Sequence, residues 1–241
     1  MAHGRLRAGS MRRIRVFAYA LLLEVSVTAF AAGDAEFAIR WDPADGGLQT
    51  AQEVLAALGL KNSKGMDFVV QYFAVTQPSS AAGDFRAVAR ERRGASYADA
   101  TYKVRGPNPF PEAGPLHKWE CPFSIPARSK EEVDISWIGE KDPQRAFSRS
   151  CTAEADIARA MPKEFGAKPL GCTSRMRRIQ ADGIKLEQWD LRNGRRLFEV
   201  SANGRDRPRD LDNFRRRIVD PLLSHEIRPL KDSKTELGST C

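Results

Sequence analysis

Three segments of this chain carry basic residues two positions apart: Arg90 and Arg92, Lys103 and Arg105, and Arg175 and Arg177. In extended backbone, residues i and i+2 project from the same side, so each pair sets two cations next to each other. Charges grouped this way must meet water, carboxylates or an anionic ligand, because burying them unpaired is prohibitive. Guanidinium and ammonium groups make charge-assisted hydrogen bonds to phosphate and carboxylate, so recognition of such an anion is the chemistry these residues could do. The composition agrees. The 241 residues include 39 Lys and Arg against 31 Asp and Glu, a net charge of +8, with 41% hydrophobic residues. That excludes a collagenous or fully disordered chain and favours a globular one with an anionic partner.

The elements that must hold these pairs read mostly as strands. Extended segments are expected at Glu36–Trp41, Phe68–Val75, Arg86–Arg93, Ala100–Arg105, His117–Phe123, Cys172–Gln180, Ile184–Leu191 and Arg196–Ser201. Val133, Ile135 and Trp137 alternate with Asp134 and Ser136, the pattern of a half-buried strand, while Ala146–Cys151 is ambiguous. Thr50 and Glu53 form a capping box for a short helix carrying Val54, Leu55 and Leu58, and Thr152–Met161 is a second short helix. Asn193-Gly194 reads as a two-residue hairpin loop, pairing Asp190 with Leu197 and Gln188 with Glu199 and placing Asp190 and Glu199 on one face. Near the C-terminus, Asp210 reads as a cap before a stripe of Leu211, Phe214, Ile218 and Leu222, with Arg215-Arg216-Arg217 on its solvated side.

At the N-terminus, Met11-Arg12-Arg13-Ile14-Arg15 precedes an apolar run from Val16 to Val27 and the small-x-small site Ala29-Phe30-Ala31. This is the layout of a signal peptide over residues 1–31, with Met11 as the expected true start. It predicts a periplasmic or secreted protein with no stable transmembrane anchor, the run being shorter than a span needs. Cys121, Cys151, Cys172 and Cys241 are even in number and lack metal spacing, so two disulfides by any of three pairings, or free buried thiols, are open.

Other chemistries lack their residues. His117 and His225 stand alone, and there is no Gly-x-Ser-x-Gly, Walker loop or Gly-x-Gly-x-x-Gly. The basic pairs are not interleaved with stacking aromatics, which argues against nucleic acid. Trp119, Trp137 and Trp189 alternate with polar neighbours as core residues do.

The order of segments resembles the CYTH, or triphosphate tunnel, superfamily. The matching stretches are Glu36-Phe37-Ala38-Ile39-Arg40, Tyr72-Phe73-Ala74-Val75, Ala89-Arg90-Glu91-Arg92, Thr101-Tyr102-Lys103-Val104-Arg105, Arg175-Met176-Arg177, Lys185 to Asp190, Glu199-Val200-Ser201 and Ser233-Lys234-Thr235-Glu236-Leu237. The resemblance covers roughly residues 35–238. It implies a mainly β (α+β) fold, a closed or nearly closed eight-stranded antiparallel barrel with a few peripheral helices. It also implies a phosphate-rich ligand held by Arg40, Arg90, Arg92, Lys103, Arg105, Arg175, Arg177 and Lys234, and Mg2+ or Mn2+ held by carboxylates. Ala38, Ala74 and Ser201 stand where the family has acids, leaving Glu36, Glu120, Asp190 and Glu199 as metal ligands. A polyphosphate or organic phosphate is the implied ligand, with metal-dependent phosphohydrolase activity weakened or lost. Two other readings stay open: an envelope module recognising anionic lipid, glycan or protein through a basic surface, and basic pairs that are simply the wet face of a sheet.

Overall fold

A computed structural model describes residue 1 and residues 33–61, 64–75, 86–107, 120–139 and 143–239. The expected signal segment, His117 and Trp119 lie outside the described residues. Nine strands form the body: β1 (Asp34–Trp41), β2 (Met66–Ala74), β3 (Arg86–Arg93), β4 (Ala98–Gly106), β5 (Arg128–Trp137), β6 (Gln144–Ala153), β7 (Lys168–Ala181), β8 (Ile184–Asp190) and β9 (Arg196–Arg205). They close into a barrel in the order β1-β5-β6-β4-β3-β2-β7-β8-β9. The expectation of eight antiparallel strands is corrected in two respects: there are nine, and β1 pairs with β5 in parallel while every other pairing is antiparallel.

Strict alternation along the strands gives the barrel an unusual polarity, with charges toward the lumen and the main apolar cores on the outside. On β1, Phe37, Ile39 and Trp41 join Val133, Ile135 and Trp137 of β5 and Phe198 and Val200 of β9 in one outer cluster. An apolar outer face cannot stay in water, and helices cover it. They are α1 (Ala51–Ala57), which supplies Val54 and Leu55, and α3 (Pro208–Phe214), which runs through a π-helical turn at Arg215–Val219 into α4 (Asp220–Leu223). Phe214 stacks against Phe37 and Trp137 at ring separations of 5.5 and 5.2 Å. A second outer cluster lies over β3, β4 and β6, where Ile157 and Ala160 of α2 (Ile157–Ala160) pack on Ala89, Tyr102 and Cys151. A third, smaller cluster of Phe68, Val70, Tyr72, Met176, Trp189 and Leu197 fills part of the lumen and receives Leu237 from α5 (Lys234–Gly238).

Local sequence accounts for most element ends. The Thr50–Glu53 capping box forms in both directions, and Ser233 with Glu236 makes another at α5. Two helical expectations shift: residues 152–153 complete β6, so α2 is only Ile157–Ala160, and α3 begins at Pro208, whose fixed φ suits the first helical position. Asp210 lies within α3 and accepts the Arg205 backbone N–H at 3.0 Å. Gly47, at φ +80, lies so close to Ile227 that a Cβ there would sit 2.6 Å from its Cγ2. That approach lets the 227–230 segment lie beside β1, where Leu230 N–H donates to the Arg40 carbonyl at 2.8 Å.

Cys121 and Cys151 are joined in a disulfide, Cys172 is disulfide-bonded too, and no cysteine among the described residues is free. The first bridge fastens the segment before β5 to the fully buried Cys151 on β6 across a sequence separation of 30. Cys121→Ser with Cys151→Ser is expected to lower unfolding free energy by about 3.6 kcal/mol, the loop-closure entropy for a link of this span. Urea unfolding of the variant against the oxidised parent checks it.

Candidate functional site

The lumen holds a cavity of about 280 Å³ whose walls carry nine basic side chains and five carboxylates. Parity of the strands decides which. Glu36 and Arg40 come from β1, Arg90 and Arg92 from β3, Lys103 and Arg105 from β4, Lys130, Glu132 and Asp134 from β5, Arg178 from β7, Lys185 and Glu187 from β8, and Glu199 from β9. Lys234, the first residue of α5, enters from the C-terminal segment.

Almost every charge is answered by its opposite. Arg40 donates to Glu199 at 2.5 Å, and Lys234 reaches Glu199 at 2.6 Å and Glu187 at 2.9 Å. Arg178 bonds Glu187 at 2.5 Å, and Lys185 bonds Glu36 at 2.5 Å. Asp134 accepts from Lys103 at 3.1 Å and Arg105 at 2.7 Å, while Glu132 is met by Lys130 and, at 3.6 Å, by Lys103. Arg92 makes a two-point contact with the fully buried Asp99, at 3.0 and 2.5 Å.

Arg90 is different. No carboxylate among the described residues lies within ion-pair distance of it, its Nε has no hydrogen-bond partner, and its guanidinium reaches only Thr101 Oγ1 at 3.4 Å. Burial, then the neighbouring Arg92, pushes its pKa below the usual arginine value, both acting against the charged form. An unpaired guanidinium on the wall of a closed cavity is a standing attraction for an anion.

Glu36, Asp134 and Glu187 stay ionised despite burial. Burial alone raises Glu36, but Lys185, Lys234 and Lys103 outweigh it and hold the group well below the carboxylate range. Asp134 is lowered in the same manner, burial being overcome by Lys103 and Arg105. Glu187 is lowered by Lys234 and Arg178 against its burial, and Lys234 is raised by Glu187 and Glu199 against its own.

Three of these acids suit a metal. Oxygens of Glu36, Glu132 and Asp134 lie within 4.8 Å of one another, and Glu36 sits opposite Asp134 in the parallel β1–β5 ladder. Ionised oxygen donors of this kind are what Mg2+ or Mn2+ prefers.

The structure brings together Arg40, Arg90, Arg92, Lys103, Arg105 and Lys234, and with them Glu36 and Glu199. It does not bring in Arg175, Arg177, Asp190 or Glu120. On β7 the inward set is Ser174, Met176 and Arg178, so Arg175 and Arg177 point out and line an external groove. Asp190 is turned outward because the hairpin loop has three residues, not two: Leu191 N–H donates to Arg195 C=O, and Gly194 takes φ +86. The register therefore pairs Asp190 with Arg196 and Glu187 with Glu199, one step from expectation, and such a step swaps the faces. Glu120 is exposed in the segment before β5. Sequence reasoning missed Lys130, Glu132, Asp134, Arg178, Lys185 and Glu187. Their signal was present as alternation with Val133, Ile135, Trp137, Leu186 and Gln188, but the polar face of that alternation reads equally well as facing water.

Neither a protein-family model nor a curated protein matches the chain. Similar solved structures include a protein of Pyrococcus horikoshii, 11% identical, covering 84% of this chain and 97% of that one at a TM-score of 0.48. A candidate adenylate cyclase from Vibrio parahaemolyticus is 12% identical, covering 84% and 96% at a TM-score of 0.46. A Hippeastrum protein described as a candidate adenylyl cyclase with a dominant triphosphatase activity is 12% identical, covering 86% and 94% at a TM-score of 0.47.

Proposed function

We propose that the barrel binds a phosphate-rich anion, a di-, tri- or polyphosphate or an organic phosphate, inside its lumen, in the manner of a triphosphate tunnel. The observation that carries this is Arg90, a half-buried side chain whose Nε is buried without a hydrogen-bond partner and whose guanidinium lines the cavity with no carboxylate partner among the described residues. The wall's excess of cations over carboxylates extends the attraction along the lumen. A closed site also screens weakly, so the bound phosphates feel these charges more fully than at an open surface. The signal layout of residues 11–31 supports an extracytoplasmic setting for this binding, and disulfide-bonded Cys121, Cys151 and Cys172 fit an oxidising compartment.

Glu36, Glu132 and Asp134 are the residues that would hold a divalent cation, which would supply charge neutralisation for phosphate oxygens. Around it, Lys103, Arg105 and Lys185 keep Glu36 and Asp134 ionised, and Arg40 with Lys234 holds Glu199 in place. Phosphoryl transfer depends mainly on positioning and charge stabilisation, which the same lumen would supply for hydrolysis. The Arg and Lys side chains would orient the chain of phosphates, and α5, whose Lys234 and Thr235 line the cavity, would limit the access of water.

Arg90→Met is expected to raise the melting temperature, by removing an uncompensated buried charge, and to weaken tripolyphosphate binding by at least about tenfold. Titration calorimetry with tripolyphosphate reads the second effect, and unchanged affinity would reject the proposal. Mn2+ binding, followed by electron paramagnetic resonance, should weaken by about tenfold or more in Glu132→Gln with Asp134→Asn. Phosphate release from tripolyphosphate with added Mn2+, compared between parent and that variant, tests hydrolysis. Stability should be level from about pH 5 to about pH 9. Below that window the unfolded chain's carboxylates take up protons before the lowered Glu36, Asp134 and Glu187 do, so stability falls with pH. Above it, the unfolded chain's lysines release protons before the raised Lys234 does, so stability falls as pH rises. Melting temperatures across pH check both limbs.

A further inference from the structure

On the outer face of β3, β2, β7 and β8, between Phe73 and Ala89 of one outer apolar cluster and Ile179 and Leu186 of the other, the residues form a pattern of their own. The ladders align Arg93, Val69, Arg175 and Asp190 in one row across the four strands. The next row aligns Asp67, Arg177 and Gln188. Val69 is 42% exposed at the centre, flanked by Arg93 and Arg175 in its own row and by Arg177 on the diagonal. These residues line a groove of about 780 Å³.

The charges here are not balanced as they are in the lumen. Arg93 is taken by Glu91 at 2.5 Å, and Asp190 by Arg196 at 2.7 Å. Arg175 and Arg177 make no ion pair among the described residues, although Asp67 lies opposite Arg177 and Asp190 opposite Arg175. An apolar centre rimmed by arginines, and concave in shape, has the composition of a protein-docking patch. A flat anionic membrane surface fits less well, because Asp67 and Asp190 sit within the groove and the surface is hollow.

We propose that this groove docks an extended acidic segment of a partner protein. Arg175 and Arg177 stand two residues apart on one strand face, about 7 Å. Carboxylates at i and i+2 of an extended segment repeat at the same spacing, so each could meet one guanidinium fork. An apolar side chain beside them would cover Val69. The groove shares no lining residue with the charged cavity, and Arg175 and Arg177 project from the opposite face of β7 to Arg178.

The test uses the full oxidised protein and a labelled synthetic peptide with alternating Glu and Val and a Leu at one end, with a Lys-for-Glu peptide as control. Fluorescence anisotropy is expected to show saturable binding of the acidic peptide only. Arg175→Glu with Arg177→Glu should weaken it by at least about tenfold, and Val69→Ser by a few-fold, while tripolyphosphate binding stays as in the parent. No binding of the acidic peptide, or equal binding by the charge-reversed variant, overturns the proposal. So does cosedimentation with phosphatidylglycerol vesicles that is lost in that variant while the peptide fails to bind, which would assign the groove to a lipid surface.

Discussion

The constraint on which this fold depends is that its strands must hide charge on one face and oil on the other, with the charged face turned inward. A barrel normally fills its lumen with apolar side chains. Here Glu36, Arg40, Lys103, Asp134, Glu187 and Glu199 occupy that space. The apolar faces are therefore on the outside, and the chain has to provide α1, α3, α4 and the 227–230 segment to cover them. Helix positions thus follow from lumen chemistry, since without charges inside there would be no apolar exterior to cover.

Charge of both signs in one enclosed space is tolerable only as a lattice. Glu187 and Glu199 face each other directly across β8 and β9, an arrangement that repels unless a cation intervenes. Lys234 intervenes, touching both, with Arg178 and Arg40 on the far sides. Buried pairs of this kind contribute little net stability, yet removing one partner typically costs about 3–5 kcal/mol. The lattice therefore acts more through specificity than through strength: one register satisfies it, and a slip of one residue puts every charge on the oily side. Arg90 interrupts the pattern, and that interruption is where the lattice stops explaining itself by internal pairing alone.

Legibility from sequence followed the same division. Strand positions were readable, because the alternation in β1, β3, β5 and β9 is strong and the Thr50–Glu53 box is a local signal. The barrel, and Arg40, Arg90, Arg92, Lys103, Arg105, Lys234, Glu36 and Glu199 in its lumen, followed from the order of segments. What could not be read was which face of a two-sided strand is the inside when both faces are plausible. Arg175 and Arg177 read as the inward pair because charge repeats at i and i+2, although Met176, between them, is the residue that faces the lumen. It fits because Met176 belongs to the apolar part of the lumen, beside Trp189 and Leu197. Asp190 was misplaced by a single loop residue. Asp134 and Ser136 read as the polar side of a half-buried strand, and only closure of the ring turns that side, with Glu132, away from water.

The parallel seam between β1 and β5 carries a kinetic consequence. β1 completes the ring by pairing with β5 on one edge and β9 on the other, and its Arg40 finds Glu199 at 159 positions along the chain. Contacts of that separation close late and slowly, because the loop entropy must be spent before any of them forms. β1, which precedes the other eight strands of the barrel in the chain, is thus among the last to find its place. Until then its Phe37, Ile39 and Trp41 have no helix over them, so the chain spends its early life as a sticky, unpaired strand. A chain with this topology benefits from being kept unfolded until β9 exists.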